Sequence, residues 1–202
     1  HFLFASAAME GRSRAAIAAA DAAWPAACGP KPGDRSTGIL QQYSVLPLFA
    51  RVRFGQWQAL LEDMLPPDGP EPYPHAIWHY ARGIALANKG DIKGARAEQA
   101  ALMPLMANEK VMKLDGSDYP ASQLLSIADN LLRGEIAMAS GDTTSAVAEF
   151  TEAVSGQDAL PYTEPPFLYY PTRQSLGAVL LKAGKAKDAE AKNQPKGSPA
   201  EQ

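Results

Sequence analysis

The sequence predicts an all-α chain of helical hairpins stacked into a solenoid, and three observations carry that expectation. Hydrophobic residues make up 46% of the 202 residues while aromatics reach only 8%. Alanine supplies much of the apolar share, and alanine has the highest helix propensity and lets helices approach closely. No run alternates β-branched residues for long, so strand signals are weak. Finally, a pattern recurs: Gly134, turn glycine Gly141, then Ala146, Phe150 and Ala153 at helical spacing. A small residue, a turn and a small-plus-aromatic stripe is what a repeated helix-turn-helix unit requires.

The turn glycines Gly11, Gly55, Gly90, Gly141 and Gly184 define five units, roughly 1–24, 40–65, 75–106, 121–155 and 171–192. In the three best, a glycine lies seven residues before the turn (Gly83, Gly134, Gly177) and an alanine five after it (Ala95, Ala146, Ala189). In the first unit, Phe2–Trp24, Gly11 separates two helices and Ala16, Ala20 and Ala23 form one face of the second. Pro25–Ser36 reads as a loop because three prolines and two glycines interrupt helical bonding. Leu40–Leu65 follows, broken at Gly55, with Trp57, Leu60, Leu61 and Met64 as its later apolar stripe.

Pro66–Pro74 ends that unit, and His75–Met106 forms the longest helical pair. Asp91 and Asp142 follow their turn glycines, where a carboxylate can cap the second helix. Asn108–Pro120 reads as a polar connector, and the proline-rich run through Pro171 as a loop carrying Tyr162, Phe167, Tyr169 and Tyr170. The final unit ends at Asn193-Gln194-Pro195, and residues 193–202 form a polar tail of the composition that stays disordered.

These residues resemble the tetratricopeptide repeat (TPR) family. The unit Gly134, Gly141, Ala146, Phe150, Ala153 matches its small, turn, alanine, aromatic and alanine positions; the first-helix tryptophan is replaced by His79 and Asn130. The segments HFLFASAAMEGRS, WHYARGIALANKGD and EPPFLYYPTRQSLGAVLLKAGKAKDAE also look like the C-terminal part of larger bacterial TPR proteins of unassigned function. The resemblance extends to about Lys192. It implies a right-handed α–α superhelix of about five degenerate repeats and a non-catalytic protein-interaction scaffold. It also implies a concave groove lined by the first helix of each pair. Carried onto this chain, the groove holds Phe49, Val52 and Arg53; Ile77, Tyr80, Ile84 and Asn88; Leu131, Glu135 and Met138; and Gln174, Leu181 and Lys182. Such a mixed surface suits an extended segment, with apolar walls for area and polar groups for register. On this reading Asn88→Ala and Tyr80→Ala weaken partner capture with little effect on melting temperature.

Other chemistry has less behind it. His75 and His79 stand at i, i+4, a metal-ligand spacing, but without the glutamate of HExxH, and a third ligand would have to be His1 or a distant carboxylate. A metal-binding or metal-dependent enzyme fragment is therefore the alternative reading, and a structural spacer within a longer chain is another. Arg82 and Arg133 precede equivalent glycines, as a basic pair for a carboxylate ligand or as bridges to Glu135 and Asp129 between repeats. The run Phe167-Leu168-Tyr169-Tyr170 is read as stapling its loop across the array. There is no G-x-S-x-G and no phosphate loop, so no catalytic residue and no cofactor is assigned.

A net charge of -3 with scattered basic residues gives no footprint for nucleic acid. Cys28 is the single cysteine, which excludes an internal disulfide. No apolar run reaches the roughly 18 residues of a membrane span. The chain begins at His1 inside an apolar helical pattern, as a fragment or processed form does. The compartment stays open between cytoplasmic and, after signal removal, periplasmic or exported.

Overall fold

The computed structural model describes residues 1–28, 38–67, 69–115 and 119–193. Among these residues there are eleven α-helices and no strand. In chain order they are α1 (Phe2–Met9), α2 (Ser13–Cys28), α3 (Gly38–Arg53), α4 (Trp57–Glu62), α5 (Pro72–Asn88) and α6 (Ile92–Met106). Then come α7 (Glu109–Asp115), α8 (Ala121–Ala139), α9 (Thr143–Asp158), α10 (Arg173–Lys182) and α11 (Ala186–Asn193). Ten of them pair as consecutive hairpins, α1–α2, α3–α4, α5–α6, α8–α9 and α10–α11, with each hairpin packed on the next.

The five hairpin turns share one backbone design. Gly11, Gly55, Gly90, Gly141 and Gly184 all have positive φ, between 63° and 84°. In each, the glycine N–H bonds the carbonyl three residues back and the next N–H reaches the carbonyl five residues before itself. At Gly141 these bonds are Gly141 N to Met138 O, 3.1 Å, and Asp142 N to Ala137 O, 2.9 Å. This is the Schellman arrangement, which satisfies two orphan carbonyls at a helix end and needs a left-handed residue at its corner. The following helix is then capped from its own start: Asp91 Oδ1 accepts from Gly94 N at 2.8 Å and Asp142 Oδ1 from Ser145 N at 3.0 Å.

Five residues after each turn, Ala16, Leu60, Ala95, Ala146 and Ala189 are all buried. Seven before it, Gly83 and Gly134 let the paired helices close. A Cβ on Gly134 would lie 2.4 Å from Phe150 Cε1, and one on Gly83 would lie 2.8 Å from Leu132 Cδ1. The first contact is within a hairpin; the second is between neighbouring hairpins, across α5 and α8.

Ion pairs repeat with the same period. Arg82 Nε meets Glu98 Oε1 at 2.9 Å and Arg133 Nη2 meets Glu149 Oε1 at 2.5 Å. Each arginine thus reaches the second helix of its own hairpin, which corrects the expected bridges between repeats; the Arg133–Asp129 pair, at 3.9 Å, lies within α8. Arg133 is one residue before Gly134 and pairs with α9, the helix that this glycine admits, whereas Arg82 pairs with α6 while Gly83 makes its closest approach to α8.

Several boundaries differ from the sequence expectation. Pro25–Cys28 continue α2 instead of opening a loop; a proline late in a helix costs one hydrogen bond and Ala26 and Ala27 keep helical propensity. The remainder of that loop lies in 29–37, outside the described residues, as does 194–202 of the tail. The polar connector contains α7, which forms because Val111 and Leu114 have a core to enter. α5 begins at Pro72, with its prolines in the first turn where a missing N–H is harmless. α9 runs on to Asp158.

Candidate functional site

The first helices α3, α5 and α8 lie side by side. The segment joining α9 to α10 crosses them instead of leaving their exposed face open. It is tied at both ends. Gln157 Oε1 accepts from Thr172 N at 2.7 Å and from Thr172 Oγ1 at 2.8 Å, while its amide donates to Tyr170 O at 3.3 Å. Arg173 bonds Asp158 at 2.6 Å.

Between these anchors Tyr169 is inserted into the array. Its ring stacks on Phe49, centroids 4.7 Å apart and planes 21° apart, and its hydroxyl meets that of Tyr80 at 2.7 Å. Phe167 meets Tyr119 edge-on at 5.7 Å, and Tyr119 in turn donates to Tyr73 at 2.8 Å. Six aromatic side chains therefore hold the crossing in place: two from the proline-rich segment, Phe49 of α3, Tyr73 and Tyr80 of α5, and Tyr119 just before α8.

Beside Tyr169 a cleft of about 190 Å³ stays open. It is lined by Val52, Arg53 and Trp57, by Tyr80, Ile84 and Asn88, by Leu131 and Glu135, and by Tyr169 and Tyr170. Seven of the sequence-predicted groove residues meet here: Val52, Arg53, Tyr80, Ile84, Asn88, Leu131 and Glu135. Gln174 stands at the rim, where its Oε1 accepts from Arg53 Nη1 at 2.7 Å. Lys182 is exposed and close enough to Glu135 for its charge to be felt there.

Four predicted groove residues are elsewhere: Ile77 is buried in the core and Leu181 is exposed on α10, outside the cleft, and Phe49 and Met138 also miss it. Phe49 is buried beneath Tyr169 and lines a second, apolar cavity of about 290 Å³ with Phe4, Met9, Leu46 and Phe167. Met138 packs half-buried against the core and does not reach the cleft. Tyr80, Ile84 and Leu131 are 1%, 4% and 2% exposed, so they form its floor. This overturns the expectation that Tyr80→Ala spares stability, because truncating so deep a ring opens a cavity.

The polar atoms of the cleft come from the rim. Arg53 lies over the Tyr170 ring, 5.7 Å from its centroid. Asn88 Nδ2 donates to Ile84 O at 3.0 Å and reaches Glu135 Oε2 at 3.4 Å. Burial pushes the Glu135 carboxyl above the usual range, against the opposing pull of Asn88 and Lys182. Burial likewise lifts Tyr80 and Tyr169 well above an ordinary phenol and pushes Tyr170 up to about 12. All three phenols feel the charge of Glu135, so the carboxylate and the tyrosines share one environment.

The contributions of Trp57, Tyr169 and Tyr170 were not assigned to the cleft from sequence. Trp57 sits at the start of the short α4, in an apolar stripe that reads as core. The aromatic run PFLYY was the available signal for the other two, but its destination depends on how the chain returns from α9.

His75 and His79 hold different partners. His75 Nδ1 bonds Glu71 O at 2.9 Å. His79 Nδ1 meets Glu98 Oε2 at 2.7 Å, on the carboxylate that also receives Arg82, and its ring abuts Trp78. His1 lies against Tyr43, centroids 5.5 Å apart. Among the described residues no three His, Cys, Asp or Glu side chains form a metal-capable group. Among them, also, no helix is long and apolar enough to cross a membrane.

No protein-family model, no curated protein and no solved structure matches this chain.

Proposed function

We propose that the hairpins form a TPR-like α–α solenoid of five degenerate units, and that the chain is a non-catalytic scaffold holding a protein or peptide segment on the side of its first helices. The fold reading is supported by five turns with the same Schellman bonds and by buried residues five positions after each. Equivalent backbone geometry at equivalent positions is what stacking of like units needs.

The observation carrying the binding reading is the shared cleft. Residues chosen only by their repeat position, from three separate helices, line one concave site with an apolar floor and a polar rim. Arg53, Asn88 and Glu135 offer donors and an acceptor for the backbone or polar side chains of an extended segment. The inserted Tyr169 shortens the groove, so the segment bound here is short, or it follows the cleft past Tyr170 toward Gln174.

The test is affinity capture from an extract of the native host, comparing wild type with Asn88→Ala/Arg53→Ala. Both residues are on the rim, so the variant should keep the wild-type melting temperature within a few degrees. Specific loss of a captured protein from the variant supports the scaffold. Equal capture by both proteins, or none by wild type, counts against it.

A further inference from the structure

We infer that the cleft receives the ammonium group of a lysine side chain, seated against Glu135 with tyrosine rings around it; this rests on the scaffold reading and names what the bound segment must carry. The starting observation is an imbalance of partners. Glu135 is half-buried on α8, yet among the described residues it has no salt bridge and a single hydrogen bond, the 3.4 Å contact from Asn88 Nδ2. Other carboxylates packed between the helices have a cation in direct contact: Glu98 holds Arg82 and His79, Glu149 holds Arg133, and Asp158 holds Arg173. A carboxylate withdrawn from water with no cation in direct contact is costly, and a cation seated against it in the cleft lowers that cost.

The surroundings select the kind of cation. Tyr80, Tyr169 and Tyr170 line the same space as Glu135, and Trp57 closes one side. Aromatic faces attract cations, and the attraction strengthens where water is excluded. A cleft of about 190 Å³ holds an ammonium on a short alkyl stem, whose methylenes would lie on Ile84 and Leu131.

Among the described residues Arg53 is the one cation lining the cleft, and it is already engaged: it donates to Gln174 and covers the outer ring, Tyr170. Lys182 acts on Glu135 from α10 without forming an ion pair within 4 Å. The charged and titratable groups facing Glu135 are thus Arg53 from α3, Tyr80 from α5, Tyr169 and Tyr170 from the crossing segment, and Lys182 from α10. Two cations at the rim favour a single added ammonium over a cluster of positive charge.

The probes are n-butylammonium, the bare side-chain mimic; N-acetyl-lysine methylamide, the same group on a peptide unit; and n-butanol, a neutral molecule of similar size. Binding to the full chain is followed by amide and indole NMR shifts, in wild type and Glu135→Gln. Both ammonium probes should saturate, with shifts at Asn88, Glu135 and the Trp57 indole. Glu135→Gln should weaken them by roughly tenfold or more, the loss expected for a charge-assisted contact. Their binding should also fall as Glu135 is protonated at acid pH.

n-Butanol binding as well as n-butylammonium, or binding unchanged in Glu135→Gln, overturns the inference whatever the stability of that variant. Butylammonium binding without the blocked lysine overturns the lysine source and marks a site for small free amines. Acetate binding that is lost in Arg53→Gln, in place of ammonium binding, also overturns it. A captured partner that survives Glu135→Gln while Asn88→Ala/Arg53→Ala loses it refutes the ammonium contact alone. Failure of wild type to capture any partner counts against the scaffold and leaves the probe titrations to judge the ammonium contact.

Discussion

Gly134→Ala adds a single methyl group at the tightest helix contact found within a hairpin. The new Cβ would stand 2.4, 2.6 and 2.8 Å from Phe150 Cε1, Cδ1 and Cζ. Carbon atoms rest at about 3.5–4.0 Å, so the ring must retreat by roughly 1 Å. Phe150 is 2% exposed and cannot swing into solvent. Overpacking of this kind costs about 1–3 kcal/mol, while replacing a mid-helix glycine by alanine returns about 1 kcal/mol of helix propensity. The net is a destabilisation of about 0–2 kcal/mol, or up to roughly 8 °C in melting temperature for a chain of this size.

Because the two effects oppose, the decisive measurement is a double-mutant cycle with Phe150→Ala, followed by circular dichroism in urea. Phe150→Ala alone should cost about 3–5 kcal/mol. In that background the clash is gone, so Gly134→Ala should stabilise by about 1 kcal/mol. The coupling between the two sites is then about 1–3 kcal/mol. Gly141→Ala supplies the control: its Cβ meets nothing within 4 Å, and its cost comes from φ +78° alone, about 1–2 kcal/mol. That cost should be the same whether or not Phe150 is present. Additive behaviour of Gly134 and Phe150 would refute the close-approach argument, and an unchanged melting temperature in Gly134→Leu would refute the repeat alignment.

Other outcomes follow from the same contacts. Tyr169→Phe strands the buried Tyr80 hydroxyl and should cost about 1–3 kcal/mol; hydrogen exchange should rise in residues 159–171, and unchanged protection there would show that the segment is held elsewhere. Glu98→Ala deprives both Arg82 and His79 and should cost about 1–3 kcal/mol. Glu149→Ala frees only the more exposed Arg133 and should cost under about 1 kcal/mol in the same urea titration; equal costs would contradict this account. Glu135 has a raised pKa in the folded chain, so its favourable contribution is complete below the ordinary carboxyl pKa. That contribution is lost as pH rises through the folded value. Glu135→Gln should therefore stabilise relative to wild type at neutral pH, with the advantage shrinking on acidification; a constant difference across pH would exclude the buried carboxylate as its cause.

Local chemistry was readable from the chain because it depends on near neighbours. A glycine that must take positive φ and a small or apolar residue five positions after it are local requirements met at all five turns, and at Gly90 and Gly141 the aspartate one residue later adds a cap. The helical identity of the hairpins follows from the same short-range rules. Helix ends were less legible: Val111 and Leu114 make α7 worthwhile only because α8 offers them a surface, and no local signal distinguishes that case from a polar connector.

The candidate site divides in the same way. Repeat position alone brought Arg53, Asn88 and Glu135 together as groove residues. It could not tell that Phe49 lies under Tyr169, or that Tyr80 spends its hydroxyl on that same residue. Tyr169 is 120 positions beyond Phe49 in the chain, and only the return of the segment between α9 and α10 brings the two rings together. The sequence by itself determined the hairpins, their turns and the small residues that let them close, because each rests on backbone geometry within a few residues. The tertiary structure decided which part of the first-helix face is filled by the chain itself and which stays open, because that depends on where a long loop is anchored.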